Sequence, residues 1–259
     1  MFTVVIDDKK VKVEKESTIL SAAQKAGIWI PTLCYHPSVS HLASCRICMV
    51  ELDRGGWKQL VTACNYPVRG NIKVSVSSKN AVRARQGVME LLLARSPDSD
   101  ELKDLAKRMG VTKTPYPKVT ESQRNCILCG LCVLVCEEVI GQSAIGFTGR
   151  GVDRTVATPF RMASENCIGC GACAAVCPVG TIKLRIYKDT GEVEISPFKS
   201  RSKLLVCEEC GTRMVSEPVT KKMFKLMKID WKEFKKKARL CPKCRRVQYA
   251  RSVEPLSAP

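Results

Sequence analysis

Apolar and polar residues alternate at the start of the chain: Phe2, Val4 and Ile6, then Val11 and Val13, with Asp7-Asp8-Lys9-Lys10 between them. A period of two predicts a β-hairpin that turns at 7–10. The period then lengthens. Ser17 or Thr18 precedes Ile19 and Gly27 closes the run, so a short helix is predicted over 19–26. Further strands are predicted at 47–52 and 72–76. Residues 80–110 read as two helices. Asn80 caps the first, whose apolar residues include Val82, Val88, Leu91 and Leu92, and Ser96-Pro97 breaks it. Asp98 with Glu101 opens the second, which sets Leu102, Leu105, Ala106 and Met109 on one face and ends at Gly110. Thr114-Pro115-Tyr116-Pro117 reads as an extended connector. A last helical stretch over 221–238 places Met223, Met227, Trp231 and Phe234 on one face, read as the core of its module.

This pattern leaves the core of a 259-residue chain unexplained, because aromatic residues make up only 5% of it. The 16 cysteines supply the missing element, since all of them fall into sets of four. Cys126, Cys129, Cys132 and Cys136 are spaced C-x2-C-x2-C-x3-C, and Cys167, Cys170, Cys173 and Cys177 repeat that spacing 41 residues on. This is the run of bacterial ferredoxins, whose thiolates hold [4Fe–4S] cubanes, the fourth cysteine of each run reaching the other cluster. One cubane is therefore expected on Cys126, Cys129, Cys132 and Cys177, the other on Cys167, Cys170, Cys173 and Cys136. Gly130, Gly169, Gly171 and Ala172 let backbone N–H groups approach the sulfurs. Pro178 follows the last cysteine as the motif wants, whereas Glu137 replaces proline in the first copy. Zinc motifs use paired C-x2-C units instead.

Cys34, Cys45, Cys48 and Cys64 form a looser set, C-x10-C-x2-C-x15-C. A long loop, a tight pair and a distant fourth thiolate suit a [2Fe–2S] rhomb with two thiolates on each iron, and a structural zinc is the alternative. The hairpin and helix before the set match the β-grasp fold that carries such loops. His36 and His41 lie inside the first cysteine loop; four cysteines suffice without them, so both are read as surface residues or as neighbours of the ligands. Cys207, Cys210, Cys241 and Cys244 resemble the two knuckles of a zinc ribbon, but the thirty residues between the pairs are many for one, and a third cubane competes with zinc there.

Charge and targeting narrow the class. The formal net charge is +18. Four centres at about −2 each bring it to about +10. Residues 198–259 hold 17 Lys or Arg against six Asp or Glu, a surface for acidic partner subunits or for nucleic acid. No signal peptide is visible and no apolar stretch reaches the roughly 18 residues of a membrane span. So many cysteines without a secretory signal point to metal in a reducing, cytoplasmic setting rather than to disulfides. Gly146, Gly149 and Gly151 do not complete a dinucleotide fingerprint, and no serine or cysteine triad is evident.

The segments PTLCYHPSVSHLASCRICMVEL, ARQGVMELLLAR and NCILCGLCVLVCEEVIGQSAIGFTGRG resemble one family over about residues 1–190. It includes the N-terminal part of the large iron–sulfur subunit of respiratory complex I and the small diaphorase subunit of NAD(P)-linked hydrogenases. It also includes the electron-entry regions of iron-only hydrogenases and of some NAD-linked formate dehydrogenases. The resemblance implies a relay between a flavin- and NAD(P)-binding subunit and a catalytic redox subunit. Among the departures from the family, SPDSDELKDLAKRMG has neither the histidine nor the cysteines of the further cubane that many members carry after the ELLL helix, so that cluster is expected to be absent.

The expected architecture is α+β: a β-grasp [2Fe–2S] domain over 1–77, a helical linker over 78–117, a two-cubane ferredoxin-like domain over 118–197 and a basic zinc-ribbon-like module over 198–259. The expected cofactors are one [2Fe–2S], two [4Fe–4S] and one zinc or third [4Fe–4S]. The expected role is that of a non-catalytic electron-transfer subunit of a multi-subunit oxidoreductase. A nucleic-acid-associated iron–sulfur protein and a free ferredoxin-like carrier are the alternatives.

Overall fold

The computed structural model describes residues 1–119, 125–231 and 239–252. Strand β1 (Phe2–Ile6) pairs with β2 (Lys9–Val13) in the register Phe2 with Val13 and Ile6 with Lys9. The turn is only Asp7-Asp8, both at positive φ; Lys9 and Lys10 already belong to β2. Asp7 can adopt that conformation because its carboxylate accepts from Ser75 Oγ at 2.8 Å and the Val76 N–H at 3.0 Å, which also ties the hairpin to a distant strand. Helix α1 (Ile19–Lys25) is capped by Thr18, whose Oγ1 accepts from the Ser21 N–H at 3.1 Å. The strand expected at 47–52 lies at Met49–Asp53 (β3), and the one at 72–76 is Ile72–Ser75 (β5). Between them runs a strand the sequence pattern does not announce, β4 (Lys58–Thr62). The sheet order is β2-β1-β5-β3-β4, with β1 and β5 parallel and the other pairs antiparallel. Its inner face packs Val4, Ile6, Val50, Leu52 and Val74 against Ile19, Leu20 and Ala23 of α1.

The two expected helices are α2 (Lys79–Arg95) and α3 (Asp100–Arg108), with caps one residue or two from those expected. Ser78, not Asn80, caps α2, accepting from the Ala81 N–H at 3.2 Å; Asn80 donates instead to Glu51 Oε2 at 2.7 Å. Ser99, not Asp98, caps α3, accepting from the Leu102 N–H at 3.3 Å. Serine is short enough to fold back on its own turn, which suits it to both places. Leu91 points outward, and the buried residues of α2 are Ala81, Arg85, Met89 and Ala94. Arg85 fastens α2 to the sheet: its guanidinium donates to the carbonyls of Met49 and Val76, both at 2.8 Å.

The cysteine runs begin the helical turns α4 (Leu131–Leu134) and α5 (Ala172–Ala175). After α4 the backbone widens to a π-turn over Val135–Val139, closed by the Ile140 N–H on the Val135 carbonyl at 2.9 Å. A small hairpin of β6 (Gly146–Thr148) and β7 (Thr155–Ala157) follows. An antiparallel meander comes next, outside the sequence expectations: β8 (Lys183–Tyr187), β9 (Glu192–Ser196), β10 (Ser200–Val206) and β11 (Arg213–Ser216), in the order β11-β10-β9-β8.

Helix α6 (Glu217–Leu226) starts earlier than expected, with Pro218 in its first turn, and is capped at Met227. Its buried residues are Thr220 and Phe224, while Met223 and Met227 are exposed. The apolar stripe is thus corrected. With the helix over before Trp231, the periodicity that joined Met223, Met227 and Trp231 does not hold; Trp231 instead sits 6.2 Å from the Phe224 ring. Phe234 lies outside the described residues. The final helix is α7 (Pro242–Ser252). Among the described residues no helix is long and apolar enough to cross a membrane.

Replacing Arg85 with Met should strand two buried carbonyls. The expected loss is about 2–4 kcal/mol in anaerobic urea unfolding, against no change for the exposed Arg83→Met. Equal midpoints for the two variants would remove Arg85 from the account.

Candidate metal centres

Cys126, Cys129, Cys132 and Cys177 line one cavity of about 70 Å³, whose apolar wall includes Val156, Val179, Ile182 and Phe198. Cys136, Cys167, Cys170 and Cys173 line a second of about 30 Å³, walled by Ile140, Ile145, Ile195 and Phe198. The chain thus gathers three cysteines of each run with the last cysteine of the other. Phe198 touches both spaces.

Local backbone explains the loops. Leu128 (φ 53°), Gly130 (φ 84°), Gly169 (φ 66°) and Gly171 (φ 75°) adopt left-handed conformations. Left-handed residues alternating with right-handed ones turn successive amides inward, a concave nest for negative charge. The N–H groups of Leu128, Leu131 and Gly169 accordingly meet the sulfurs of Cys126, Cys129 and Cys167. The Ala144 N–H meets Cys136 Sγ at 3.4 Å. Close packing also favours glycine at Gly169, where a Cβ would lie 2.9 Å from Ser202 Cβ; at Gly130 a Cβ would lie 2.6 Å from the flexible end of Leu42, and the left-handed backbone is the stronger constraint.

Burial pushes the thiols of Cys126, Cys132 and Cys167 above their ordinary range, and those of Cys129 and Cys173 up to about 12. Neighbouring cysteines push the same way. The amides facing the sulfurs oppose this without overcoming it. At neutral pH these side chains bear charge only if a cation draws their protons off, which is the chemistry of a thiolate-bound metal. Donor type, amide nests and apolar-walled cavities therefore fit an iron–sulfur cluster at each site.

Cys34, Cys45, Cys48 and Cys64 are all buried and unpaired by disulfide. Their thiols touch one another. Donation from Cys45 and Cys64 holds the Cys34 thiol down at about 2, and donation from Cys64 brings Cys48 to about 7, while Cys45 and Cys64 are pushed up in return. Four thiols so crowded share charge as a group and suit a centre that takes several thiolates at once. Of the histidines of this loop, His36 Nδ1 accepts from the Ser38 N–H at 3.3 Å, while the His41 ring lies tilted, 4.6 Å from the Tyr35 ring, with its Nε2 buried and without a hydrogen-bond partner among the described residues.

The N-terminal quartet lies beside the first cavity. Cys34 and Cys45 share one buried cluster with Ile127, Cys129 and Leu131. Ser44 Oγ donates to the Cys129 carbonyl at 2.9 Å, and the Ser40 N–H donates to Glu138 Oε2 at 2.7 Å. Cys132, Cys136, Cys167, Cys173 and Cys177 meet around Ile195 and Phe198 in another cluster, which joins the two cavities. Ser44 and Leu42 carry no recognisable signal in the sequence. Neither does Arg95, whose Nε donates to the Cys126 carbonyl at 3.2 Å.

Cys207, Cys210, Cys241 and Cys244 converge most tightly, with their Sγ atoms all within 4.8 Å of one another. Cys207-x2-Cys210 sits in the turn between β10 and β11, and Cys241-x2-Cys244 opens α7. The N–H groups of Cys241 and Cys210 lower the Cys207 thiol to about 6; Thr212 lowers Cys210, while contact with Cys210 raises Cys244.

Comparison with known proteins bears on the first three quartets. Residues 1–79 match the 2Fe-2S iron-sulfur cluster binding domain and residues 125–181 the 4Fe-4S dicluster domain. The NADPH-Fe(3+) oxidoreductase subunit alpha of Geobacter sulfurreducens is 35% identical over 234 residues, 82% of this chain and 27% of its own length. An NADH-quinone oxidoreductase subunit of Rhizobium meliloti is 30% identical over 266 residues, 93% of this chain and 30% of its own. The mitochondrial NADH-ubiquinone oxidoreductase 78 kDa subunit of Neurospora crassa is 32% identical over 59% of this chain and 24% of its own. The chain thus spans roughly a quarter to a third of the curated relatives it matches. A chain of an NAD+-reducing [NiFe]-hydrogenase, solved in the H2-reduced state, superposes with a TM-score of 0.53 at 28% identity, over 61% of this chain and 74% of that one.

Gly169→Val would place a branched side chain at φ 66° against Ser202 and Val193. We expect one of the two cubane EPR signals to be lost while the [2Fe–2S] signal persists. Gly191→Ala, equally left-handed but with open space around it, should keep all signals. Two intact cubane signals in Gly169→Val would show that this loop does not frame a cluster.

Proposed function

We propose that this chain, a homologue of NAD(P)H-linked oxidoreductase iron–sulfur subunits carrying their 2Fe-2S and dicluster domains, relays electrons between a flavin- and NAD(P)-binding subunit and a second, catalytic redox subunit. The observation that carries the reading is the contact of three cysteine quartets through shared buried clusters.

In this reading the N-terminal unit is a β-grasp domain that holds a [2Fe–2S] cluster on Cys34, Cys45, Cys48 and Cys64. Cys126, Cys129, Cys132 and Cys177 hold one cubane, and Cys167, Cys170, Cys173 and Cys136 the other. Such clusters, when bound, accept and release single electrons. The polypeptide supplies the rest. Its amide nests stabilise charge on sulfur, and the apolar walls exclude water. The Ser44 bond to the Cys129 carbonyl fixes the distance between the first two sites. Leu42, half-exposed, lies against Gly130 at that boundary. The helical hairpin of α2 and α3 is a brace between the two domains. Leu102 and Ala106 of α3 pack in the same cluster as Cys34 and Cys129. No substrate site is assigned to this chain, so NAD(P)H oxidation and the terminal reaction belong to partners, in a cytoplasmic complex. The homology to oxidoreductase subunits runs over 82–93% of the chain, which favours this role over a nucleic-acid-binding protein or a free carrier. The fourth quartet, Cys207, Cys210, Cys241 and Cys244, is a separate metal centre.

The test uses the native complex and the isolated chain. NADH or NADPH should elicit [2Fe–2S] and [4Fe–4S] EPR signals in the complex, and should leave the clusters oxidised and silent in the isolated chain, where dithionite still elicits both. Direct reduction of the isolated chain by NAD(P)H, or silent clusters in the turning-over complex, would contradict the proposal.

A further inference from the structure

We infer that Cys207, Cys210, Cys241 and Cys244 bind a single zinc ion, and that this ion is a clasp holding the C-terminal module over the second cubane site. The inference rests on the quartet's own geometry and not on the relay.

Size decides between zinc and a cluster. Cys210 Sγ and Cys241 Sγ are 3.7 Å apart, and all four sulfurs lie within 4.8 Å of one another. A tetrahedral zinc with bonds of about 2.3 Å sets its thiolates about 3.8 Å apart. A cubane puts each thiolate on a different iron and needs space at the centre for the inorganic core. The twelve other cysteines show the contrast within the same chain. Among the described residues no other group of three or more Cys, His, Asp or Glu side chains gathers so closely, and both dicluster quartets surround a cavity.

The surroundings fit four thiolates on one cation. The Cys241 N–H donates to Cys207 Sγ at 3.3 Å, and the Cys244 N–H to Cys241 Sγ at 3.4 Å. The first knuckle closes through the Gly211 N–H on the Cys207 carbonyl at 2.9 Å, which Gly211 permits at φ 66°. The Glu208 N–H reaches the Arg239 carbonyl at 2.9 Å and binds one knuckle to the other. These bonds shape the site and join segments more than thirty residues apart; among the module's described residues after Phe198 only Thr220, Phe224, Cys207, Cys241 and three serines are buried, and the ion adds cohesion there.

The module's other end grips the second cubane site. Ser202 Oγ of β10 donates to the Cys167 carbonyl at 3.4 Å, and Ser216 Oγ, just before α6, donates to the Ile168 carbonyl at 2.5 Å. Lys222 Nζ of α6 donates to the carbonyls of Ile140 and, at 3.1 Å, Gly141, in the loop after Cys136. Cys207, the residue after β10, lies five residues from Ser202, roughly 16 Å away at strand rise. Zinc has no accessible redox step, so the ion fastens this cover and carries no electrons.

Full-length protein purified anaerobically, without added metal, should hold zinc in equal amount to the chain. Zinc-edge X-ray absorption should show four sulfurs at about 2.3 Å. The Cys210→Ser, Cys244→Ser double variant should lose the zinc and keep the iron content and every EPR signal. Loss of about four irons and a cubane signal in that variant would overturn the inference, as would zinc absent from the wild type or bound by nitrogen or oxygen. Absorption on the wild type decides the site even if the variant fails to fold. The clasp has its own readout. The zinc-free double variant, which keeps its signals without oxygen, should in air lose one cubane signal several-fold faster than the wild type while the other decays as in the wild type, and Lys222→Met, which loosens the same cover at its other end, should do likewise. Unchanged decay of both would leave the ion without the role assigned to it.

Discussion

Everything in this fold answers to the problem of burying sulfur charge. Cys34, Cys45, Cys48, Cys64, Cys129 and Cys132 lie as deep as the leucines and valines around them. Burial drives Cys129 and Cys173 to about 12, so the polypeptide alone favours neutral thiols where the proposed clusters need thiolates. Metal resolves the conflict and becomes part of the core.

The same constraint orders the chain in space. A cluster's ligands come from tight loops, and tight loops with inward amides need left-handed residues, hence Gly130, Gly169 and Gly171 and the less comfortable Leu128. Those glycines then allow close neighbours. Leu42 from the N-terminal loop fills the space over Gly130, and Ser202 and Val193 from the meander fill that over Gly169. One device thus does two things: it cradles sulfur, and it lets the next domain approach to van der Waals contact. Phe198, on the wall of both cavities, is the shared partition between the two proposed cubane sites.

Local chemistry is legible in the sequence and long-range packing is not. The cysteine spacings, the hairpin, α1 and the pair α2 and α3 follow from patterns a few residues long. The serine caps fall one or two positions from those expected because Asn80 and Asp98 are as good cappers in isolation; only the backbone path shows that Asn80 is drawn to Glu51. Strand β4 hides among Lys58, Gln59 and Leu60, which are all exposed on the sheet edge. The meander is faint in the sequence although Val193 and Ile195 alternate with polar residues, because only β9 carries a strongly buried face. Arg85 cannot be identified from sequence. A buried arginine makes sense only once two carbonyls from distant strands converge on it. At the C-terminus the spacing leaves zinc and a cubane open, and the distances between sulfurs are needed to separate them.

Mössbauer spectroscopy of anaerobically isolated protein enriched in 57Fe tests the central claim most directly, because it counts iron by cluster type. The account requires about one-fifth of the iron in a ferric [2Fe–2S] pair and about four-fifths as the valence-averaged iron of two cubanes. A spectrum of isolated iron in four-thiolate sites, or one lacking the valence-averaged component, would contradict it.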